Sequence, residues 1–166
     1  YIMSEGKKIT VSSPNTILDL ADWFLAKEHM TNKKLQKLCY YAVAWGWALL
    51  DRAIVEDSTF EAWIHGPVSK KLYQKYSSYK WKLIDENVTP VKFSPDIEEL
   101  LGSVWYTYGA KDGNELEAIS HSEKPWREAR GGALPGEICD NEISTETMKN
   151  YYWSIYNGKS KEESQA

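Results

Sequence analysis

The sequence predicts a mainly α-helical protein, a compact single-domain helical bundle around a central apolar helix, with a small two- or three-stranded β element. The chain has 166 residues, which is enough for one sizeable core. Its composition, 42% hydrophobic and 13% aromatic, is typical of a folded globular protein. Apolar residues recur at helical spacing in several long segments, whereas only short segments alternate with the period of a strand.

We expect one domain over residues 16–157, with an N-terminal extension at residues 1–15 and a polar C-terminal tail at residues 158–166. The sequence contains no internal repeat and no linker long enough to separate two domains. All functional residues should therefore lie on one body.

Two helices are predicted in the first third of the chain. Residues 16–29 have the spacing of an amphipathic helix. Thr31 is a suitable N-cap for a longer helix over residues 32–51. Its predicted apolar stripe comprises Leu35, Leu38, Cys39, Ala42 and Leu49. Beyond Leu38 nearly every face of this helix is apolar, which predicts a position at the centre of the fold.

The β element is predicted in the middle of the chain. Residues 60–64 alternate with period two, and the His-Gly-Pro segment at residues 65–67 ends that strand before a helix over residues 67–79. Residues 88–93 are predicted as an edge strand, because Pro90 is tolerated in a strand only at the edge of a sheet.

The second half of the chain is predicted to be helical. Ser94 and Pro95 start a helix whose apolar positions are Ile97, Leu100, Leu101, Val104 and Tyr108. Asp112 and Glu115 form a capping-box pattern for a helix through Ser120, and residues 125–127 begin a short helical turn. After a Gly/Pro-rich loop, Ser144 caps a final helix. Its predicted inward-facing residues are Met148, Tyr151, Tyr152 and Ile155.

The polar residues give little support to catalysis. The two cysteines, Cys39 and Cys139, cannot form a disulfide framework or a four-cysteine zinc site, which predicts a reducing, cytoplasmic setting. The three histidines lack metal-ligand spacing, and burial of Cys39 in an apolar segment should raise the pKa of its thiol. No glycine-rich phosphate loop follows a strand. We predict no enzyme, no cofactor and no metal site; an enzyme with scattered His, Asp and Glu residues is a third hypothesis.

Membrane insertion is not predicted. The longest apolar run, residues 38–50, has thirteen residues, fewer than the roughly 20 that a membrane-spanning helix needs.

Charge is distributed unevenly along the chain. Residues 27–82 carry ten Lys/Arg and five Asp/Glu, whereas residues 85–146 carry five and fourteen. Lysines one helical turn apart form either a basic stripe or an ordinary solvated face. An alternative function is therefore a nucleic-acid-binding regulator of a phage or mobile element, using Lys33, Lys34, Lys37, Lys70, Lys71 and Lys75. The isoelectric point near 5.5 argues against non-specific nucleic-acid binding.

Two ordered sets of residues carry a family resemblance. The first comprises Met30 to Ala42, Trp45, Phe60 to Trp63, His65 to Val68 and Tyr73. The second comprises Val104, Trp105, Tyr108, Gly109, Leu116, Ser120, His121, Pro125 and Trp126. In this order and at this spacing the chain resembles the Panacea domain, also described as a SocA-like antitoxin domain or a phage-associated GepA-like protein.

The resemblance implies a mainly helical antitoxin encoded beside a toxin, often on phages or mobile elements. Such a domain neutralises its cognate protein toxin by direct binding, and in one branch of the family it also delivers the toxin to a protease. Nothing in the family pattern is catalytic, so its marked residues are scaffold and contact positions.

Partner-binding residues are predicted among basic, histidine and aromatic side chains, since Trp and Tyr dominate interface hot spots. The candidates are Lys33, Lys34, Lys37, Trp63, His65, Lys71, Lys75, Trp81, His121 and Trp126. Trp23, Trp81 and Trp153 are candidates for exposed anchors, with a core position as the alternative. For His65 and His121 the alternatives are a turn and the end of a helix packed under a tryptophan.

Overall fold

The structure is a computed structural model that describes residues 15–165, and it confirms the mainly α-helical fold class. The α-helices of this range are α1 Ile17–Leu25, α2 Asn32–Leu50, α3 Lys70–Tyr76, α4 Pro95–Tyr108, α5 Gly113–His121, α6 Lys124–Arg130 and α7 Thr145–Gln165. A 3-10 turn follows α3 at Ser77–Tyr79. The strands are β1 Met30–Thr31, β2 Glu61–Trp63, β3 Gly66–Val68 and β4 Leu83–Ile84. The predicted N-terminal extension lies outside the described residues except for Asn15.

Helix α2 is the centre of the fold, as its apolar sequence predicts. Helices α1, α4, α5 and α7 pack around it, with α7 making the most extensive contact. Every residue from Lys34 to Ala44 is buried. A helix that is buried on all sides needs neighbours on all sides, which explains why the other helices form a shell around α2.

The predicted helix starts are confirmed at four positions. The hydroxyl of Thr31 accepts a hydrogen bond from the Lys34 amide, and Asp112 forms a reciprocal capping box with Glu115. Ser144 Oγ accepts from the amide of Thr147 at 3.1 Å. Ser94 and Pro95 start α4 as predicted, but the Ser94 hydroxyl donates to Asp96 Oδ1 at 2.6 Å and does not cap a backbone amide. These caps satisfy amide groups that a helix end would otherwise leave without partners.

The β residues form two separate antiparallel pairs. Strands β2 and β3 make a hairpin with Ile64 and His65 at its turn, and β1 pairs with β4. The predicted start of a helix at residue 67 is therefore wrong, since residues 66–68 pair with β2 and α3 begins only at Lys70.

The predicted edge strand at residues 88–93 is also wrong, because this segment contains no strand. Its Pro90 has no amide hydrogen for a ladder. The amide of Phe93 donates to the Glu98 side chain at 3.0 Å, so the segment is fixed to the start of α4.

Two predicted core positions lie on the surface. Met148 and Tyr152 are fully buried beneath α7, but Ile155 on α7 and Leu49 on α2 are exposed. Both line an open groove between α2, α4 and α7. Helix α7 continues to Gln165, so the backbone of most of the predicted tail extends the last helix.

Candidate functional site

A polar cluster forms where the β2–β3 hairpin lies against α5. The Glu117 carboxylate accepts hydrogen bonds from His65 Nδ1 at 3.0 Å and from Lys33 Nζ at 2.6 Å. Partial burial alone would raise the pKa of Glu117, but the hydrogen bonds from Lys33 and His65 outweigh it and hold this pKa below its usual value. The structure thus joins two predicted site residues, Lys33 and His65, through an acid that the sequence analysis had not singled out.

Lys37 lies underneath the hairpin and is only 1% exposed. Its ammonium nitrogen donates to the carbonyl oxygen of Pro67 at 3.0 Å. Burial lowers the pKa of Lys37 to about 7, although the nearby Glu117 carboxylate favours the charged form. Lys37 therefore belongs to the interior and supports the hairpin from below.

The hairpin fits Lys37 closely because residue 66 is glycine. Gly66 has a φ of +105°, and a Cβ added there would lie 2.7 Å from Lys37 Cε. Both the backbone conformation and the close approach require a residue without a side chain.

We expect Gly66→Ala to lower the free energy of unfolding by about 1 to 2 kcal/mol, since it adds backbone strain and a contact with Lys37. Gly102→Ala is the matched control. Gly102 lies in α4 with nothing within 4 Å of an added Cβ, so alanine should stabilise the protein by about 0.5 to 1 kcal/mol. Urea denaturation followed by circular dichroism measures both. Equal effects of the same sign would contradict the role given to Gly66.

His121 and Trp126 form the second part of the cluster. Their rings stack with centroids 3.9 Å apart, and Trp126 Nε1 donates to the carbonyl oxygen of Trp63 at 2.8 Å. Burial lowers the pKa of His121, so its imidazole is neutral at pH 7. The tryptophan thus connects α6 to the hairpin and covers His121.

A cavity of about 510 Å³ opens beside these side chains. Its lining includes His65, Glu117, His121, Trp126 and Arg127. The bonds of His65 to Glu117 and of Trp126 to Trp63 join the hairpin to α5 and α6. Within residues 15–165 no group of three or more His, Cys, Asp or Glu side chains is placed to hold a metal ion.

Of the two lysine pairs spaced one helical turn apart, Lys33 and Lys37 form no basic stripe on the surface, whereas Lys71 and Lys75 are both exposed. Lys34 is buried and donates to the Gly109 carbonyl at 2.6 Å and to Glu28 at 2.8 Å. Lys37 is buried beneath the hairpin, and Lys71 pairs with Asp57 at 2.8 Å. The alternative function as a nucleic-acid-binding regulator thus loses two of its six proposed phosphate contacts, Lys34 and Lys37, to the interior.

Lys75 and Trp63 bond or pack locally. The Lys75 ammonium lies 5.3 Å from the centroid of the Tyr76 ring. Trp63 donates to Glu61 at 2.8 Å and meets the Tyr73 ring edge-on.

The three predicted anchor tryptophans differ in exposure. Trp81 is 78% exposed and Trp153 is 48% exposed. Trp23 is only 7% exposed, and its indole donates to Glu98 at 3.1 Å, so for Trp23 the core alternative is correct and the exposed anchor is wrong. Trp23 faces Phe24 and α4 because α1 packs its apolar side inward.

Sequence reasoning missed a buried cluster around Glu123. The Glu123 carboxylate accepts hydrogen bonds from the hydroxyls of Tyr41 at 2.8 Å and Tyr152 at 2.7 Å. Burial raises the pKa of Glu123, while the two hydroxyls favour its charged form. Tyrosines inside an apolar helix were the signal available in the sequence, because buried hydroxyls need partners.

Cys39 confirms the expectation for a core thiol. It is fully buried, and burial raises the pKa of its thiol well above the usual value. No helix in the described range is both long and apolar enough to cross a membrane.

Residues 15–165 thus form a small, mainly α-helical domain with a polar cluster where the β2–β3 hairpin meets α5. Residues 35–127 match the family described as antitoxin SocA-like, Panacea domain, and the chain belongs to this family. The match includes His65, Glu117, His121 and Trp126, and it confirms the resemblance seen in the sequence. No curated protein and no solved structure gave a match to the chain.

Proposed function

We propose that this domain is the antitoxin of a toxin–antitoxin system and neutralises a cognate protein toxin in the cytoplasm by binding it directly. The observation that carries the proposal is the match of residues 35–127 to the SocA-like antitoxin domain. The internal hydrogen bonds of Lys37, Glu117 and Trp126 add support, because they make these residues a preformed scaffold for binding a partner.

Delivery of the bound toxin to a protease is a second part of the proposal, drawn from the branch of the family that acts as an adaptor. In that case the cellular half-life of the toxin should shorten when the domain is present. A toxin that is inhibited but equally long-lived would mean that binding alone neutralises it.

Coexpression with the toxic product of the neighbouring gene tests the first part. We expect growth to resume and a stable complex to copurify through size-exclusion chromatography. Continued growth arrest without an isolable complex would overturn the proposal.

A titration of purified toxin with the purified domain separates binding from enzymatic inactivation. A binder removes toxin activity in proportion to its own amount, with an end point at a fixed molar ratio. An enzyme that modified the toxin would inactivate a large excess over time. The second outcome would replace the proposed mechanism.

A further inference from the structure

An apolar and basic surface lies where β4 and the N-terminal end of α2 meet the turn between α4 and α5, and Lys33 connects it to the polar cluster around Glu117. It borders a pocket of about 650 Å³. We call it the Trp81 face and define it by Trp81, Leu83, Lys80 and Lys111. Trp81 is 78% exposed and Leu83 is 56% exposed, which leaves a large apolar area open to solvent.

The backbone holds these two apolar side chains outward. Leu83 and Ile84 form β4 and pair with β1, and since neighbouring residues of a strand face opposite sides, burial of Ile84 points Leu83 away from the core. Lys80, just before Trp81, has φ of 57° and ψ of −115°, an unfavourable conformation for a residue with a side chain. Strain of this kind persists where the surrounding structure enforces it and is frequent at binding sites.

The rim of the pocket is positively charged. Four lysines line it, Lys33, Lys34, Lys80 and Lys111, against two carboxylates, Glu28 and Asp112. Lys33 and Lys34 are paired with Glu117 and Glu28.

Among the described side chains, no carboxylate oxygen lies within 4 Å of the ammonium groups of Lys80 and Lys111. Lys82, next to Trp81, adds a further exposed charge. An apolar centre flanked by Lys80 and Lys111, which have no carboxylate partner among the described side chains, matches a partner with acidic residues around an apolar one.

We propose that the Trp81 face is the surface that binds the toxin, and that the toxin presents an acidic segment whose apolar side chain packs against Trp81 and Leu83. This inference rests on the proposed antitoxin function and adds the contact surface and the chemistry of the partner. The groove between α2, α4 and α7 fits such a segment less well, because no charged residue lines it.

Binding kinetics with the purified product of the neighbouring gene test the inference at two salt concentrations. Trp81→Ala removes the apolar anchor, so the dissociation rate should rise by about 30-fold or more with little change in association rate. The double variant Lys80→Glu and Lys111→Glu should slow association by about tenfold and weaken its dependence on salt. Leu83→Glu should weaken binding as well.

Trp153→Ala is the matched control, since Trp153 is an exposed tryptophan on α7 that does not line the pocket. It should leave the affinity within about threefold, a small change for an interface residue. Thermal melting confirms that each variant is folded. Wild-type binding that survives Trp81→Ala and the double lysine variant would overturn this inference and leave the antitoxin function standing. A loss of affinity in Trp153→Ala alone would also overturn it, and absence of wild-type binding would overturn both proposals.

Discussion

Glu123→Ala is expected to lower the free energy of unfolding by about 3 to 5 kcal/mol, the cost of a cavity together with unpaired buried hydroxyls. The side chain lies in the core and accepts from the hydroxyls of Tyr41 and Tyr152, which are themselves fully buried. Tyr152 retains a contact with the Tyr40 hydroxyl at 3.1 Å, whereas Tyr41 has no second acceptor among the described hydrogen bonds.

Glu123→Gln should behave very differently, because it keeps an acceptor oxygen and removes the buried charge. Burial raises the pKa of Glu123 in the folded protein. Its favourable contribution is therefore complete below the ordinary glutamate pKa and is lost as pH rises through the folded pKa. Glutamine does not titrate, so its contribution is not lost. The free energy of unfolding of the variant, compared with that of the wild type, should therefore be more favourable at pH 7 than at pH 4.

Urea denaturation of both variants at pH 4 and pH 7 measures these effects. Glu99→Ala is the control, since Glu99 is an exposed acid on α4 and its removal should change stability by no more than about 0.5 kcal/mol. If alanine and glutamine at position 123 cost the same, the hydrogen bonds to the tyrosines do not stabilise the fold.

Local sequence signals were sufficient to predict most of the helices. Caps such as Thr31 and Ser144 and the apolar periodicity of α4 depend on residues a few positions apart, and they predicted the elements correctly. The apolar sequence of α2 predicted its position at the centre of the fold, because a helix that is apolar on nearly every face must be buried.

The missed features depend on contacts between distant segments. Residues 66–68 carry a Gly-Pro pair that is typical of a turn, and only their pairing with β2 makes them a strand. Lys33 and Lys37 have the spacing of a solvated helix face, but the hairpin and α5 cover that face and draw both lysines into internal bonds. The spacing of charges within one helix cannot reveal which other segment will cover it.

The residues of the candidate site also divide into those that local sequence predicted and those that depend on contacts between distant segments. His65, His121 and Trp126 were selected from the sequence, and the structure brings them to one cavity. Glu117, which accepts from His65 and Lys33, was one of twenty-four acids without a distinguishing local pattern. Its importance follows from the placement of α5 against the hairpin.

Lys37→Met is expected to flatten the pH dependence of stability between pH 7 and pH 8.5. In the wild type, burial lowers the pKa of Lys37 to about 7, against an ordinary value of 10.5. Between these values the unfolded chain binds one more proton than the folded protein, so stability rises with pH. A full proton is worth about 1.4 kcal/mol per pH unit, which gives a rise of about 2 kcal/mol over this range.

The charges and titratable groups near Lys37 determine the pH range over which its titration can be measured. Glu117 favours the charged form of Lys37 and Lys33 disfavours it. The pKa of Glu117 lies below its ordinary value, so this carboxylate stays charged from pH 7 to pH 8.5. Toward pH 8.5 the unfolded chain begins to lose the proton of Cys39, whose pKa is raised by burial in the folded state. This opposes the rise, and it does so equally in the wild type and in Lys37→Met.

Chemical denaturation at pH 7.0, 7.75 and 8.5 follows the free energy of unfolding across the window. Lys70→Met, which removes an exposed lysine from the start of α3, should keep the wild-type slope. Methionine fills the space of the Lys37 stem and has no group that titrates, so the stability of the variant should not rise with pH. Because methionine cannot donate to the Pro67 carbonyl, the variant should be less stable than the wild type, with the smallest difference at pH 7. A Lys37→Met slope equal to that of the wild type would mean that Lys37 remains protonated beneath the hairpin throughout this range.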